Sequence, residues 1–135
     1  MKAIVWMLCF ILLLATACEE KVKVDPTLAP RMALQEALDA QARGDVAAYI
    51  SYMDFGGAEP DSVRKMLLMA AIRQKCQSIQ EQKQGLQSSQ VSAARMRSDS
   101  VSTVFYNLYF NDGDSVSCSQ KMVRHGGVWK LQMSH

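Results

Sequence analysis

The sequence is poor in the residue types that carry out most enzyme chemistry. Of its 135 residues only two are histidine, His125 in a glycine-containing turn and His135 at the end of the chain. No His-x-x-x-His or Cys-x-x-Cys pair occurs, so we predict neither a structural nor a catalytic metal site. A glycine-rich phosphate loop and a Gly-x-Ser-x-Gly motif are also missing. We therefore predict no catalytic residue, no metal ligand and no cofactor.

Charge is nearly balanced, and neither sign is concentrated. Fifteen lysine and arginine residues stand against thirteen aspartate and glutamate residues, without a basic run. A nucleic-acid-binding domain typically shows a basic patch or stripe, so we predict no nucleic-acid partner. The carboxylates of the predicted strand region, Asp99, Asp112 and Asp114, all fall at predicted turns. A general base needs a buried carboxylate with a raised pKa, which these positions do not favour.

Long apolar runs are confined to the N-terminus. Lys2 precedes an apolar stretch, residues 3–17, that is shorter than the roughly 20 residues a membrane-spanning helix needs. This pattern is typical of a cleaved signal peptide. The small residues before Cys18 (Ala15-Thr16-Ala17) resemble the lipobox of bacterial lipoproteins, in which the cysteine receives a diacylglyceryl group and becomes the new N-terminus. An ordinary signal peptide with an incidental cysteine is the alternative.

Lipidation would place the protein on a membrane without a spanning segment. Two or more acyl chains, such as palmitate, hold a protein there stably. We expect a signal peptide at residues 1–17, a lipidated N-terminus and tether at 18–29, and one domain at 30–135. The lack of aspartate after Cys18 is compatible with sorting to the outer membrane of the bacterial cell envelope, and the acidic start, Glu19-Glu20, can also favour export to the cell surface. The sequence leaves both the periplasmic and the surface face open.

Helical spacing covers the first half of the predicted domain. Pro30 suits the first residue of a helix, and Gly44 is a typical stop. Asp45 is placed to cap a second helix, and Pro60 begins a third that extends to about Gln84. The first half of this third helix is dense in apolar and methionine residues. We expect it to be buried on most sides, with the methionines filling a core rather than binding a metal or a partner.

The period changes from helical to two after about residue 90. Strands are predicted at 90–98, 103–110 and 115–122, and a last strand has Trp129, Leu131 and Met133 on its inner face. Asp112-Gly113 indicates a tight hairpin. Three helices followed by a curved four-stranded antiparallel sheet predict an α+β fold.

This order resembles the nuclear transport factor 2 and ketosteroid isomerase superfamily, and more narrowly small bacterial lipoproteins of unknown function with a reduced version of that fold. The resemblance covers about residues 28–134. It rests on the Gly-Asp corner in LDAQARGDVAAYISYM and on the closing turn and strand in VRHGGVWKLQM. It implies a sheet that curls around a long helix into a cone whose mouth can hold a ligand. No residue here matches the catalytic carboxylate or His–Asp pair of the superfamily's enzymes.

The cone interior is expected to be lined by Tyr49, Tyr106, Tyr109, Met122 and Trp129. We favour a non-catalytic domain that binds a small apolar ligand or an envelope protein. The alternative is an isomerase- or dehydratase-like enzyme in which Tyr106 or Tyr109 donates a proton. Such an enzyme would need a buried carboxylate within reach of the tyrosine.

Two cysteines remain beyond Cys18. Cys76 belongs to an inward stripe of the third helix, and Cys118 shares a strand face with Val116 and Met122. We expect both thiols to face one interface. An oxidising compartment would allow a disulfide between them, and two separate buried thiols are the alternative.

Overall fold

The computed structural model describes residues 24–56 and 60–133. The predicted signal peptide and Cys18 lie outside the described residues. No helix in the two described ranges is long and apolar enough to cross a membrane. In chain order the elements are α1 (Leu28–Ala42), α2 (Val46–Ser51), β1 (Met53–Asp54), α3 (Ser62–Lys83), β2 (Leu86–Met96), β3 (Val101–Phe110), β4 (Ser115–His125) and β5 (Val128–Gln132).

Local chemistry at the helix ends follows the sequence closely. α1 begins at Leu28, two residues before the predicted start at Pro30, which is buried in its first turn, and α3 begins at Ser62, two residues after the predicted start at Pro60. Gly44 follows α1 with φ at +76°, a conformation that glycine adopts without steric cost. The Asp45 carboxylate accepts the Ala48 N–H at 3.1 Å and so caps α2. Asp61 caps α3 in the same way, accepting the Arg64 N–H at 2.8 Å.

Over residues 24–56 and 60–133 the sheet has five strands, not the predicted four, in the order β1-β5-β4-β3-β2. β2, β3, β4 and β5 form an antiparallel meander. The additional strand, β1, pairs in parallel with β5, where Met53 lies opposite Leu131. β1 has only two residues. So short a strand has no period to detect, and its pairing with β5 joins residues far apart in sequence.

Helix α1 packs on the inner face of this curved, unclosed sheet. Its residues Leu34 and Leu38 form one core cluster with Val104, Met122 and Leu131 from the strands. Trp129 belongs to the same cluster and is 7% exposed, which confirms its predicted burial. The alternation along β3 and β5 thus places one face of each strand under α1.

The side chain of Gln35 fixes α1 to strand β2. Its Nε2 donates to the Ser89 carbonyl at 3.0 Å, and its Oε1 accepts the Val91 N–H at 3.0 Å. The pairing of β2 with β3 shifts register between Val91 and Ala93, beside these contacts. One amide therefore satisfies two backbone groups of β2 near an irregularity in its ladder.

Helix α3 is much less covered than predicted. Ile72 is its one buried residue among those described. It packs with Val46, Ile50 and Met53 in a second, smaller core cluster. The expectation that the first half of this helix is buried on most sides is wrong, because α3 meets α2 and β2 along one side only.

Candidate functional site

A cavity of about 240 Å³ separates α3 from the inner face of the sheet. It is somewhat smaller than the roughly 300 Å³ at the lower end of typical ligand pockets. Its apolar wall is formed by Leu38, Ile79, Leu86 and Leu108. These four side chains come from α1, α3, β2 and β3, so the cavity exists only when the helices are docked on the sheet.

Two tyrosines give this cavity its polar groups. Tyr49 comes from α2 and Tyr106 from β3. Burial raises the pKa of Tyr106 to about 12, and the neighbouring Cys118 thiol and Tyr49 add to the shift. Burial also raises the pKa of Tyr49, with a smaller contribution from Cys76. Both phenols are therefore neutral at pH 7, and each can donate a hydrogen bond to a ligand.

Two of the five predicted lining residues, Tyr49 and Tyr106, line the cavity, and the other three do not. Tyr109 is three residues beyond Tyr106, and in a strand this odd spacing turns it to the outer face of the sheet. Met122 and Trp129 lie on the inner face, but they pack in the core cluster that includes Leu34 of α1.

The lining residues missed from the sequence are mainly aliphatic. Leu86 and Leu108 lie on the inner faces of β2 and β3, and Leu38 is on α1. The alternation of β3 could have indicated Leu108. Ile79 was predicted to face a core as part of the α3 stripe. The sequence does not show that this part of the stripe faces a gap instead.

The two cysteines lie on either side of the tyrosine pair. Cys76 lines the cavity and contributes to the raised pKa of Tyr49. Cys118 lies opposite Tyr106 in the β3–β4 ladder, and their side chains are hydrogen-bonded. Both thiols are free and half-buried in the structure. The two residues thus belong to one neighbourhood without forming the disulfide that the sequence left open.

The described cavity lining includes neither a carboxylate nor a histidine. The Tyr52 hydroxyl donates to Glu36 Oε2 at 3.4 Å, but this exposed pair lies outside the lining. His125 Nε2 lies 3.3 Å from Asp54 Oδ2, a contact not predicted from the sequence. His125 is 69% exposed there, where β4 ends near β1. Within residues 24–56 and 60–133, no group of metal-ligating side chains could hold an ion.

Comparison with known proteins identifies the fold. A 2.00 Å crystal structure from Campylobacter jejuni, of a protein provisionally named an NTF2-like transpeptidase, matches with a TM-score of 0.64 at 13% identity, over 78% of this chain and 98% of that one. A 1.70 Å structure from Shewanella oneidensis MR-1, of an NTF-2 like protein of unknown function, matches with a TM-score of 0.50 at 14% identity, over 74% and 88%. No protein-family model and no curated protein matches the sequence. With helices followed by a curved, unclosed sheet, the described part of the chain has an NTF2-like fold, as its sequence predicted.

Proposed function

We propose that this protein is a lipid-anchored binding protein of the bacterial cell envelope. Its domain would hold a small, largely apolar ligand and leave it chemically unchanged. The observation that supports binding is the cavity beneath α3, where an aliphatic wall surrounds two neutral phenols. Ligand pockets in proteins have this composition, apolar walls with a few placed polar groups.

The chemistry of the lining favours a ligand with a hydrogen-bond acceptor. The raised pKa values of Tyr49 and Tyr106 keep both hydroxyls protonated, so they are donors at neutral pH. A carbonyl or ether oxygen on an aromatic or aliphatic body would satisfy them. A purely hydrocarbon ligand would give neither hydroxyl an acceptor and would leave Tyr106 with only the weak contact to the Cys118 thiol, which costs free energy.

The enzyme alternative has less support from the same residues. An isomerase or dehydratase needs a base near the proton donor. The polar groups of the described lining are phenols, a thiol, amides and the Lys75 ammonium group. The transpeptidase name of the Campylobacter protein does not favour this activity here, because a cysteine nucleophile needs an activating base and the neighbour of Cys76 is Tyr49.

Fluorine NMR with 4-fluoroacetophenone, which has an aromatic ring and one carbonyl acceptor, tests the binding proposal. We expect a broadened ligand signal with the wild-type chain. Leu108→Trp, which fills the cavity, should weaken binding by about tenfold or more, a change of roughly 1.4 kcal/mol. Phe105→Trp is the matched control, because Phe105 is on the outer face of the same strand and is 40% exposed. Equal binding by the wild type and both variants would refute a site in this cavity.

The anchoring part of the proposal rests on Cys18 and the apolar run before it. Metabolic labelling with an alkyne analogue of palmitate should label the wild type and leave Cys18→Ala unlabelled. Intact mass should show the wild type starting at Cys18, whereas the variant should retain residues 1–17. An unlipidated mature wild-type chain would contradict the anchoring proposal, and the proposal of ligand binding in the cavity would stand.

A further inference from the structure

Helix α3 is apolar on two opposite sides. Successive residues of an α-helix turn by about 100°, so Leu68, Ile72 and Ile79 share the side that faces the domain. Val63, Met66 and Leu67 lie on the opposite side and are 63%, 70% and 66% exposed. We call these three residues the outer stripe. Three large exposed apolar side chains on adjacent turns indicate a surface that contacts something else.

Basic side chains accompany the outer stripe along α3. By helical spacing, Arg64 lies beside the stripe, and Arg73 and Lys75 lie about two turns further along α3, on either side of the line of the stripe. All three residues are exposed. No aspartate or glutamate occurs between Ser62 and Gln80. The exposed side of α3 therefore combines a short apolar stripe with positive charge and without a carboxylate up to Gln80, which suits contact with an anionic membrane surface.

We propose that the outer stripe of α3 docks on the surface of an anionic phospholipid bilayer. Val63, Met66 and Leu67 would enter the boundary between headgroups and acyl chains. Arg64, Arg73 and Lys75 would reach the lipid phosphates, because long basic side chains extend along an apolar surface and keep their charge in the polar layer. The outer stripe lies on the opposite side of α3 from the ligand cavity; among the basic residues, Lys75 also lines that cavity, whereas Arg64 and Arg73 do not.

A bilayer fits this surface better than a second copy of the chain. In a two-fold dimer the same patch meets itself, so the arginines of both copies would come close together. The stripe extends over four residue steps, or about 6 Å of helix. Stable protein–protein interfaces bury about 800 Å² on each partner, far more than three side chains provide.

Depth-dependent quenching of tryptophan fluorescence tests the docking itself rather than attachment of the chain. The full chain is reconstituted in vesicles of phosphatidylethanolamine and phosphatidylglycerol that contain a dibrominated lipid. A Trp6→Phe background leaves buried Trp129 as the native fluorophore. Leu67→Trp reports on the outer stripe. Val128→Trp is the matched control, because Val128 is also apolar and 55% exposed but lies on the β4–β5 hairpin.

We expect at least about threefold more quenching at position 67 than at position 128. Phosphatidylcholine vesicles, or the added changes Arg64→Glu and Arg73→Glu, should remove most of that difference, because the charge attraction to the surface is lost. Circular dichroism checks that the charge-reversal variant remains folded. Equal quenching at the two positions would overturn the proposal. A blue-shifted but unquenched signal at position 67 that depends on protein concentration would also overturn it and indicate self-association.

Discussion

Replacement of Trp129 by alanine should destabilise the domain more than any surface change. Trp129 is 7% exposed and packs in the cluster with Leu34, Val104 and Met122. Loss of a buried aromatic side chain costs about 3–5 kcal/mol, through lost transfer energy and the cavity left behind. Domains of this size are stable by only about 5–15 kcal/mol. The variant should therefore lose a large part of its stability.

A smaller part of this loss comes from a cation–π contact. The guanidinium carbon of Arg124 lies 5.8 Å from the centre of the Trp129 ring. Arg124 is exposed, so the contact should contribute about 0.5–1 kcal/mol. Arg124→Ala alone should cost no more than that, and the double variant should cost less than the sum of the two single changes by the same amount.

The free energy of unfolding of each variant is measured by urea titration, with far-ultraviolet circular dichroism as the signal. Tryptophan fluorescence is unsuitable, because Trp129→Ala removes the main fluorophore. Val128→Ala, at the 55% exposed neighbour, is the control and should stay within about 0.5 kcal/mol of the wild type. A loss below about 1 kcal/mol for Trp129→Ala would mean that the register of β5 is wrong. A loss that matches the control would refute the burial of the inner face.

Three further predictions follow from the contacts inside the domain. Gln35→Ala should cost about 1–3 kcal/mol in urea unfolding, because it leaves two β2 backbone groups without their partner. Because folding raises the pKa of Tyr106, the unfolded chain loses the phenol proton at a lower pH than the folded chain does. Stability should therefore fall as pH rises from 10 to about 12, and Tyr106→Phe should flatten that fall; an unchanged slope would contradict the buried phenol. Alkylation mass spectrometry should label Cys76 and Cys118 after denaturation without any reductant, whereas labelling that requires a reductant would establish a disulfide.

Features set by a few neighbouring residues were predicted well from the sequence. Asp45 caps a helix after Gly44, and Gly113 has φ at +93° in the hairpin between β3 and β4. Each depends on chemistry within a short segment, so sequence patterns report it directly. The same is true of the order of helices and strands, and hence of the fold class.

Features that join distant segments were missed. β1 pairs with β5, and Asp54 meets His125, across more than seventy residues. The alternation along β3 placed Tyr106 correctly, but it could not show that α1 covers Met122 and leaves a gap over Leu108. Helix α3 shows the limit most clearly. Its apolar residues were visible, but not which of its two faces the domain would cover.

The amide of Gln35 also closes the outer edge of the sheet. Within the part of the chain that the structure describes, β2 is the last strand in the sheet order, so one row of its backbone groups has no strand partner there. Gln35 pairs with the Ser89 carbonyl and the Val91 N–H there, as a neighbouring strand would. At the other edge, β1 covers β5. An open sheet edge can pair with a strand of another molecule. The Gln35 contacts at β2 and the pairing of β1 with β5 should therefore reduce edge-to-edge association of the domain.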